Sequence, residues 1–212
     1  MRVRVLPREK RALWDLNALK ELPFMLFNVG CFFGFMGLYI PFYYIPEFGV
    51  FVGALTPEFS LYTIAIINAA STFGRVIPNY LADKVGPLNL MYPCAFAAGI
   101  LAFCWIAAKN EGGLIAICVL YGFFSGTFVS LPPTVIVGFS PSLSVVGTRL
   151  GMVFTISGIA LLIGSPIGGA ILGSADRFVG LQSFCAACIL VGASFLYLAR
   201  IASVGTKFRK IA

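Results

Sequence analysis

Asn68-Ala-Ala-Ser71-Thr72-Phe-Gly74-Arg75-Val-Ile-Pro78-Asn79-Tyr-Leu81-Ala82-Asp83-Lys84-Val-Gly86 is the most informative stretch of the chain. Asn68, Ser71, Arg75, Asn79 and Asp83 follow one another at intervals of 3, 4, 4 and 4 residues. At about 100° per residue that spacing puts them on one face of a helix. The helix that carries them, residues 61–82, is long enough to cross a bilayer. A polar stripe on a spanning helix is unstable against acyl chains, so it faces a neighbouring helix or a water-filled crevice. Arg75 stands eight residues before Asp83, about 12 Å along the axis, and therefore inside the hydrocarbon layer. A charge there costs at least about 2.5 kcal/mol. Two readings stay open: a cation facing a cavity, or a structural arginine whose guanidinium snorkels to the interface.

The rest of the chain shares that solvent. Of its 212 residues, 59% are hydrophobic and 11% are charged, against about 25% charged in a soluble domain. This excludes an ordinary water-soluble globule and, equally, a disordered chain. Charge-poor runs predict five further helices at 24–45, 89–108, 114–138, 150–173 and 179–203. The expected fold class is an all-α membrane protein with six transmembrane helices. Residues 1–21 form a basic N-terminal segment, 22–203 the bundle, and 204–212 a basic tail. Leu13-Trp14-Asp15-Leu16 with Leu19 reads equally as a helix lying on the inner leaflet or as a solvated linker. Residues 112–148 carry no charge; they read as one span kinked at Pro132-Pro133, followed by a Ser- and Pro-rich loop at 139–148.

Orientation follows from the 15 Lys and Arg residues. Arg2, Arg4, Arg8, Lys10, Arg11, Lys20, Lys84, Arg149, Arg200, Lys207, Arg209 and Lys210 fall on the side that holds both termini, and only Lys109 and Arg177 on the other. That bias predicts cytoplasmic ends. It also explains the net charge of +7 by topology, without nucleic acid as a partner. Asp176-Arg177 reads as a short outer turn.

Histidine is absent, which removes imidazole triads and most zinc sites. Cys31, Cys94, Cys104, Cys118, Cys185 and Cys188 all fall in expected spans and read as small packing residues, the Cys185-x-x-Cys188 pair included. No nucleophile elbow, P-loop or buried carboxylate pair is present, so no enzyme activity, cofactor or metal is expected. Gly122 with Gly126, Gly164 with Gly168, and Gly169 with Gly173 form G-x-x-x-G spacings that let helices approach closely. Static packing is the expectation for any one of them, a mobile interface the alternative. Tyr43 and Tyr44 read as an interfacial aromatic belt, whereas Tyr39 is open between belt and cavity.

Asn79-Tyr-Leu81-Ala82-Asp83-Lys84-Val-Gly86 resembles the G-x-L-A-D-R-x-G loop signature of the major facilitator superfamily, with Asn79 in place of the first Gly and Pro87-Leu88 in place of a basic pair. Gly74-Arg75, Leu38-Tyr39-Ile40-Pro41-Phe42 and Gly164-Ser-Pro166-Ile-Gly168-Gly169 are similar to its monocarboxylate-porter branch in fungal form. The resemblance runs from Asp15 onward and implies the second half of a twelve-span carrier. It implies alternating access around a midplane site, with a small organic anion as substrate and the plasma membrane as default location. Arg75 occupies the position of an arginine proposed to pair with the substrate carboxylate; Asn68, Ser71 and Tyr39 would line the same site. Asn79, Asp83, Lys84 and Gly86 would form the gate loop. The acidic residue expected one turn before Arg75 is Ser71, so proton coupling through this pair is not implied. The partners expected are the lipid bilayer, the anion, and a missing N-terminal six-helix bundle or a second copy. The competing expectation is a truncated, non-transporting half-bundle that packs on another membrane protein.

Overall fold

The computed structural model describes Asp15, residues 17–173 and residues 178–205. The basic residues of 1–14, most of the Leu13–Leu16 stretch, the turn at Asp176-Arg177 and the tail beyond Gly205 lie outside the described residues. Among the described residues the α-helices are α1 (Leu22–Leu38), α2 (Ile40–Phe51), α3 (Pro57–Val85), α4 (Pro87–Cys104), α5 (Glu111–Ser130), α6 (Pro132–Phe139), α7 (Leu143–Gly173) and α8 (Phe178–Val204), with no strand.

Two expected spans are interrupted. Proline lacks an N–H and disfavours helix in the residue before it. Pro41 accordingly separates α1 from α2 at Tyr39, and Pro132-Pro133 separates α5 from α6 at Leu131 instead of only kinking one helix. The expected loop at 139–148 shrinks to 140–142, because α7 begins at Leu143 and not at 150. Ser142 stands just before that start and its hydroxyl meets that of Ser144 at 2.8 Å. Pro-Ser before an apolar run is helix-start chemistry as much as loop chemistry. The shift moves Arg149 from a loop into α7.

Pro57 opens α3, and the Thr56 hydroxyl accepts from the Phe59 amide at 3.3 Å. The helix runs past its expected end at 82, through Asp83 and Lys84 to Val85, and Gly86 caps it. Gly86 has φ +99°, a backbone state that glycine adopts without Cβ strain.

Among the described residues, five stretches are long and apolar enough to cross a membrane: Leu22–Phe51, Pro87–Ala107, Glu111–Phe139, Leu143–Gly173 and Phe178–Val204. At 29 residues, α3 has the length, about 43 Å, but its stripe lowers its apolarity. Even so it packs along α5, as α1 does along α8 and α7, and α4 along α8. The fold is an all-α membrane bundle.

Buried residues form two apolar clusters stacked along the bundle. One holds Phe24, Phe27, Leu38, Met91, Phe128 and Leu196. The other holds Ile40, Phe48, Trp105, Tyr121, Phe178 and Ile189. The boundary between them falls at the α1–α2 break.

In lipid, helix association rests on close packing rather than on apolar transfer. A Cβ at Gly126 would stand 2.5 Å from the Ser71 carbonyl oxygen, and one at Gly122 would meet the Ile67 carbonyl. Gly164 similarly abuts the Met36 carbonyl, Gly168 the Leu181 side chain, and Gly169 the Tyr44 hydroxyl. Gly173 departs from its expected packing role: among the described residues, a Cβ there would meet nothing within 4 Å. The α1–α8 contact, missed in the sequence, uses Gly30 and Gly34 of α1 against Gly192. Its signal is the Gly30-x-x-x-Gly34 spacing. All six cysteines are free thiols; five are buried and Cys104 is exposed.

Candidate substrate pocket beside Arg75

One face of α3 is fixed by α5. Ser60, Thr63, Ile67, Ser71, Gly74, Pro78 and Ala82 are buried along it, and the Thr127 hydroxyl of α5 donates to the Gly74 carbonyl at 2.9 Å. On the helical wheel Asn68, Thr72, Arg75, Asn79 and Asp83 border this face on one side. Tyr62, Phe73, Val76 and Tyr80, all more than 60% exposed, lie roughly opposite. The uncovered part of α3 is thus two surfaces. One is apolar and suits lipid; the other is polar and does not.

At the polar surface is a pocket of about 270 Å³, lined by Leu38, Tyr39, Phe42, Tyr43, Ile64, Asn68, Ser71, Arg75, Ser125, Gly126 and Val129. All four expected substrate-contacting residues border it: Tyr39 from the α1–α2 break, and Asn68, Ser71 and Arg75 from α3. Ser71 is buried, while Asn68 and Arg75 are exposed. Arg75 is the single charged residue of the lining. Among the described residues no hydrogen bond or ion pair engages its guanidinium, which leaves five N–H donors available. The neighbouring amides are spent locally: Asn68 donates to the Ile64 carbonyl at 2.9 Å, and Asn79 to the Arg75 carbonyl. Tyr39 and Phe42, with ring centroids 5.3 Å apart, and Tyr43 form an aromatic wall. Tyr43, expected in an interfacial belt, is 63% exposed and also borders this pocket. Ser125, Ile64 and Val129 are not among the expected residues, since nothing in their spacing marks a pocket.

The residues expected to form a gate loop stand elsewhere. Asp83 borders a second cavity of about 620 Å³ together with Glu21, Pro87, Phe139 and Ser203. Lys84 lies over the Tyr80 ring, 4.9 Å from its centroid.

The cations that the bundle does bury are not Arg75 but Arg149 and Arg200, 1% and 2% exposed, although the sequence reading has both as interfacial charges. Arg149 Nε donates to Asp15 at 2.9 Å, Nη1 and Nη2 donate to the Glu21 carboxylate at 2.8 and 2.6 Å, and Nη1 also donates to the Phe139 carbonyl at 2.7 Å. The hydrogen bond from Arg149 holds the Asp15 carboxyl below its ordinary value of 3.8, against an opposing desolvation effect. Arg200 Nε donates to Asn89 Oδ1 at 2.8 Å. Folding brings Asp15 and Glu21 to Arg149 from 134 and 128 residues away, which no local spacing reveals.

No family model matches the chain. Individual relatives do. It is 44% identical over 172 residues, 81% of its length, to the "MFS-type transporter dbaD" of Emericella nidulans. It is 36% identical over 203 residues, 96% of its length, to the "Aspyridones efflux protein apdF" of the same organism. It is 32% identical over 187 residues, 88% of its length, to the "Agnestins efflux protein AgnL12" of Paecilomyces divaricatus. The matched stretches are 39%, 41% and 42% of those relatives' lengths, so the chain spans about two fifths of the proteins it resembles. Their names are those of transporters and efflux proteins, in keeping with the expectation that the chain is not an enzyme. Likeness of this degree over most of an apolar helical bundle places the chain: it is a multi-pass membrane protein that belongs to the major facilitator superfamily.

Proposed function

We propose that the chain is the C-terminal six-helix half of a secondary transporter that moves a small organic anion, of the monocarboxylate type, by alternating access. The observation that carries this reading is the guanidinium of Arg75, unengaged among the described residues, at the edge of a pocket whose described lining has an aromatic wall and no carboxylate. A guanidinium fork binds a carboxylate through two parallel hydrogen bonds, and Tyr39, Phe42 and Tyr43 offer ring faces to an apolar or conjugated body. Asn68 and Ser71 line the same site. Asn79, Asp83, Lys84 and Gly86 act in the gate loop at the end of α3, on the cytoplasmic side with both termini, and the plasma membrane is the default location.

A second six-helix bundle is the partner in this reading. The chain's span of about two fifths of its relatives' length supports it, as does a polar α3 surface unsuited to lipid. Alternating access then rocks one bundle against the other around the pocket.

Uptake of radiolabelled monocarboxylates into vesicles tests the proposal. Vesicles with this chain alone are expected to be inactive, and those with the chain and a matching N-terminal bundle active. In the active system Arg75→Ala abolishes uptake and Arg75→Lys leaves little, because an ammonium lacks the planar fork. Full uptake by Arg75→Ala overturns the assignment of the anion contact.

A further inference from the structure

The break between α1 and α2 sits where the two apolar clusters meet: Leu38 belongs to one and Ile40 to the other. Pro41 has no N–H to give the Gly37 carbonyl, and the interruption at Tyr39 loosens the ladder around Leu38. In a medium without water, carbonyls released in this way need other donors. Both find them on distant helices, the Gly37 carbonyl in addition to the Tyr39 amide that reaches it within the break. The Tyr121 hydroxyl of α5 donates to the Leu38 carbonyl at 2.7 Å, and the Cys185 thiol of α8 donates to the Gly37 carbonyl at 3.3 Å. Both side chains are fully buried. The Tyr121 ring also meets Phe42, with centroids 6.3 Å apart. Tyr121 does not line the Arg75 pocket, but Leu38, Tyr39, Phe42 and Tyr43 do.

We propose that Tyr121 is a positioning residue for the substrate pocket, assisted by Cys185. Its hydroxyl ties the last carbonyl of α1 to α5 and thereby sets the angle at which α2 leaves the break. That angle fixes how far Tyr39 and Phe42 reach toward Arg75. A phenol is well matched to this role, since its ring fills the core, its hydroxyl is a directional donor, and it brings no charge. The thiol is a weaker donor and plays the lesser part. The inference rests on the reading of the pocket as the substrate site. It differs from plain core packing in one respect: a packing ring tolerates Tyr121→Phe, whereas a tether does not.

The test uses the full chain in lipid vesicles, carrying Tyr39→Cys or Asn68→Cys. Reaction with a water-soluble maleimide is followed by mass spectrometry on the peptide holding each introduced thiol. Both are expected to react. Adding Tyr121→Phe changes the rate at position 39 by about fivefold, the equivalent of one lost hydrogen bond, and leaves position 68 unchanged. Cys185→Ala shifts position 39 in the same direction by less, and Cys185→Ser, which keeps a donor, restores it. An unchanged rate at position 39 in folded Tyr121→Phe overturns the positioning role; should that variant not fold, an unchanged rate in Cys185→Ala does so. Silence at both positions in the parent chain instead overturns the reading of the pocket as water-accessible, and the positioning role with it.

Discussion

Arg75 and Arg149 carry the same guanidinium in opposite settings. Arg149, buried near the start of α7, directs hydrogen bonds from all three of its guanidinium nitrogens to Asp15, Glu21 and the Phe139 carbonyl, and its guanidinium carbon lies 5.4 Å from the Phe24 ring centroid. Arg75, toward the middle of α3, is exposed beside a pocket and commits none among the described residues. Burial and charge therefore do not by themselves nominate a functional cation. Donor capacity left over after folding is the better guide, because a ligand can use only what the protein has not already spent. Arg149 fastens the segment before α1 to the α6–α7 corner; Arg75 fastens nothing among the described residues.

The sharpest way to break this contrast is to remove the buried cation. Arg149→Met strands the Asp15 and Glu21 carboxylates. It should cost about 2–4 kcal/mol of stability, somewhat less than a fully buried pair because Glu21 keeps 43% of its side chain exposed. Thermal melting of the purified chain in detergent reads the loss. A melting temperature within a degree of the parent would show that the cluster does not hold the corner.

A smaller effect comes from Asp15. Its carboxyl is held below 3.8 in the folded chain by the Arg149 hydrogen bond. A depressed value contributes stability that is fully present above the unfolded pKa and is lost as pH falls through the folded one. Asp15→Asn should therefore melt below the parent at neutral pH, and the gap should close as the buffer is taken below 3.8. A gap that stays constant with pH would assign the effect to packing and not to charge.

Most of the sequence signals that the structure brings together are periodic, although Gly173, also named by its spacing, meets no neighbour among the described residues. Intervals of 3 and 4 residues put Asn68, Ser71 and Arg75 on one helical face, and those residues border a single pocket with Tyr39. Gly122 and Gly126 mark the α3–α5 approach through the same periodicity. The partners of Arg149 are hidden because Asp15 and Glu21 reach it only through tertiary folding. The α7 start is ambiguous because Ser140-Pro141-Ser142 satisfies both a loop reading and a helix-start reading, and burial of Arg149 decides between them. Pro132 is legible as a perturbation and Pro41 lies unmarked inside an expected span, and whether such a proline kinks or breaks a helix depends on donors elsewhere in the bundle, such as Tyr121.

Arg75 is, by contrast with Arg149, the position where stability should change least. Among the described residues its guanidinium makes no hydrogen bond or ion pair that folding has to preserve, and α3 is held to α5 through Gly74, Ser71 and Thr127 on another face. Arg75→Leu should leave the melting temperature of the isolated chain near the parent value, within about 0.5 kcal/mol as for other exposed substitutions. A drop comparable to that of Arg149→Met would mean that Arg75 is structural after all, and would return the pocket to an incidental gap between α2 and α3. Unchanged melting together with lost transport is the combination expected of a ligand-facing cation.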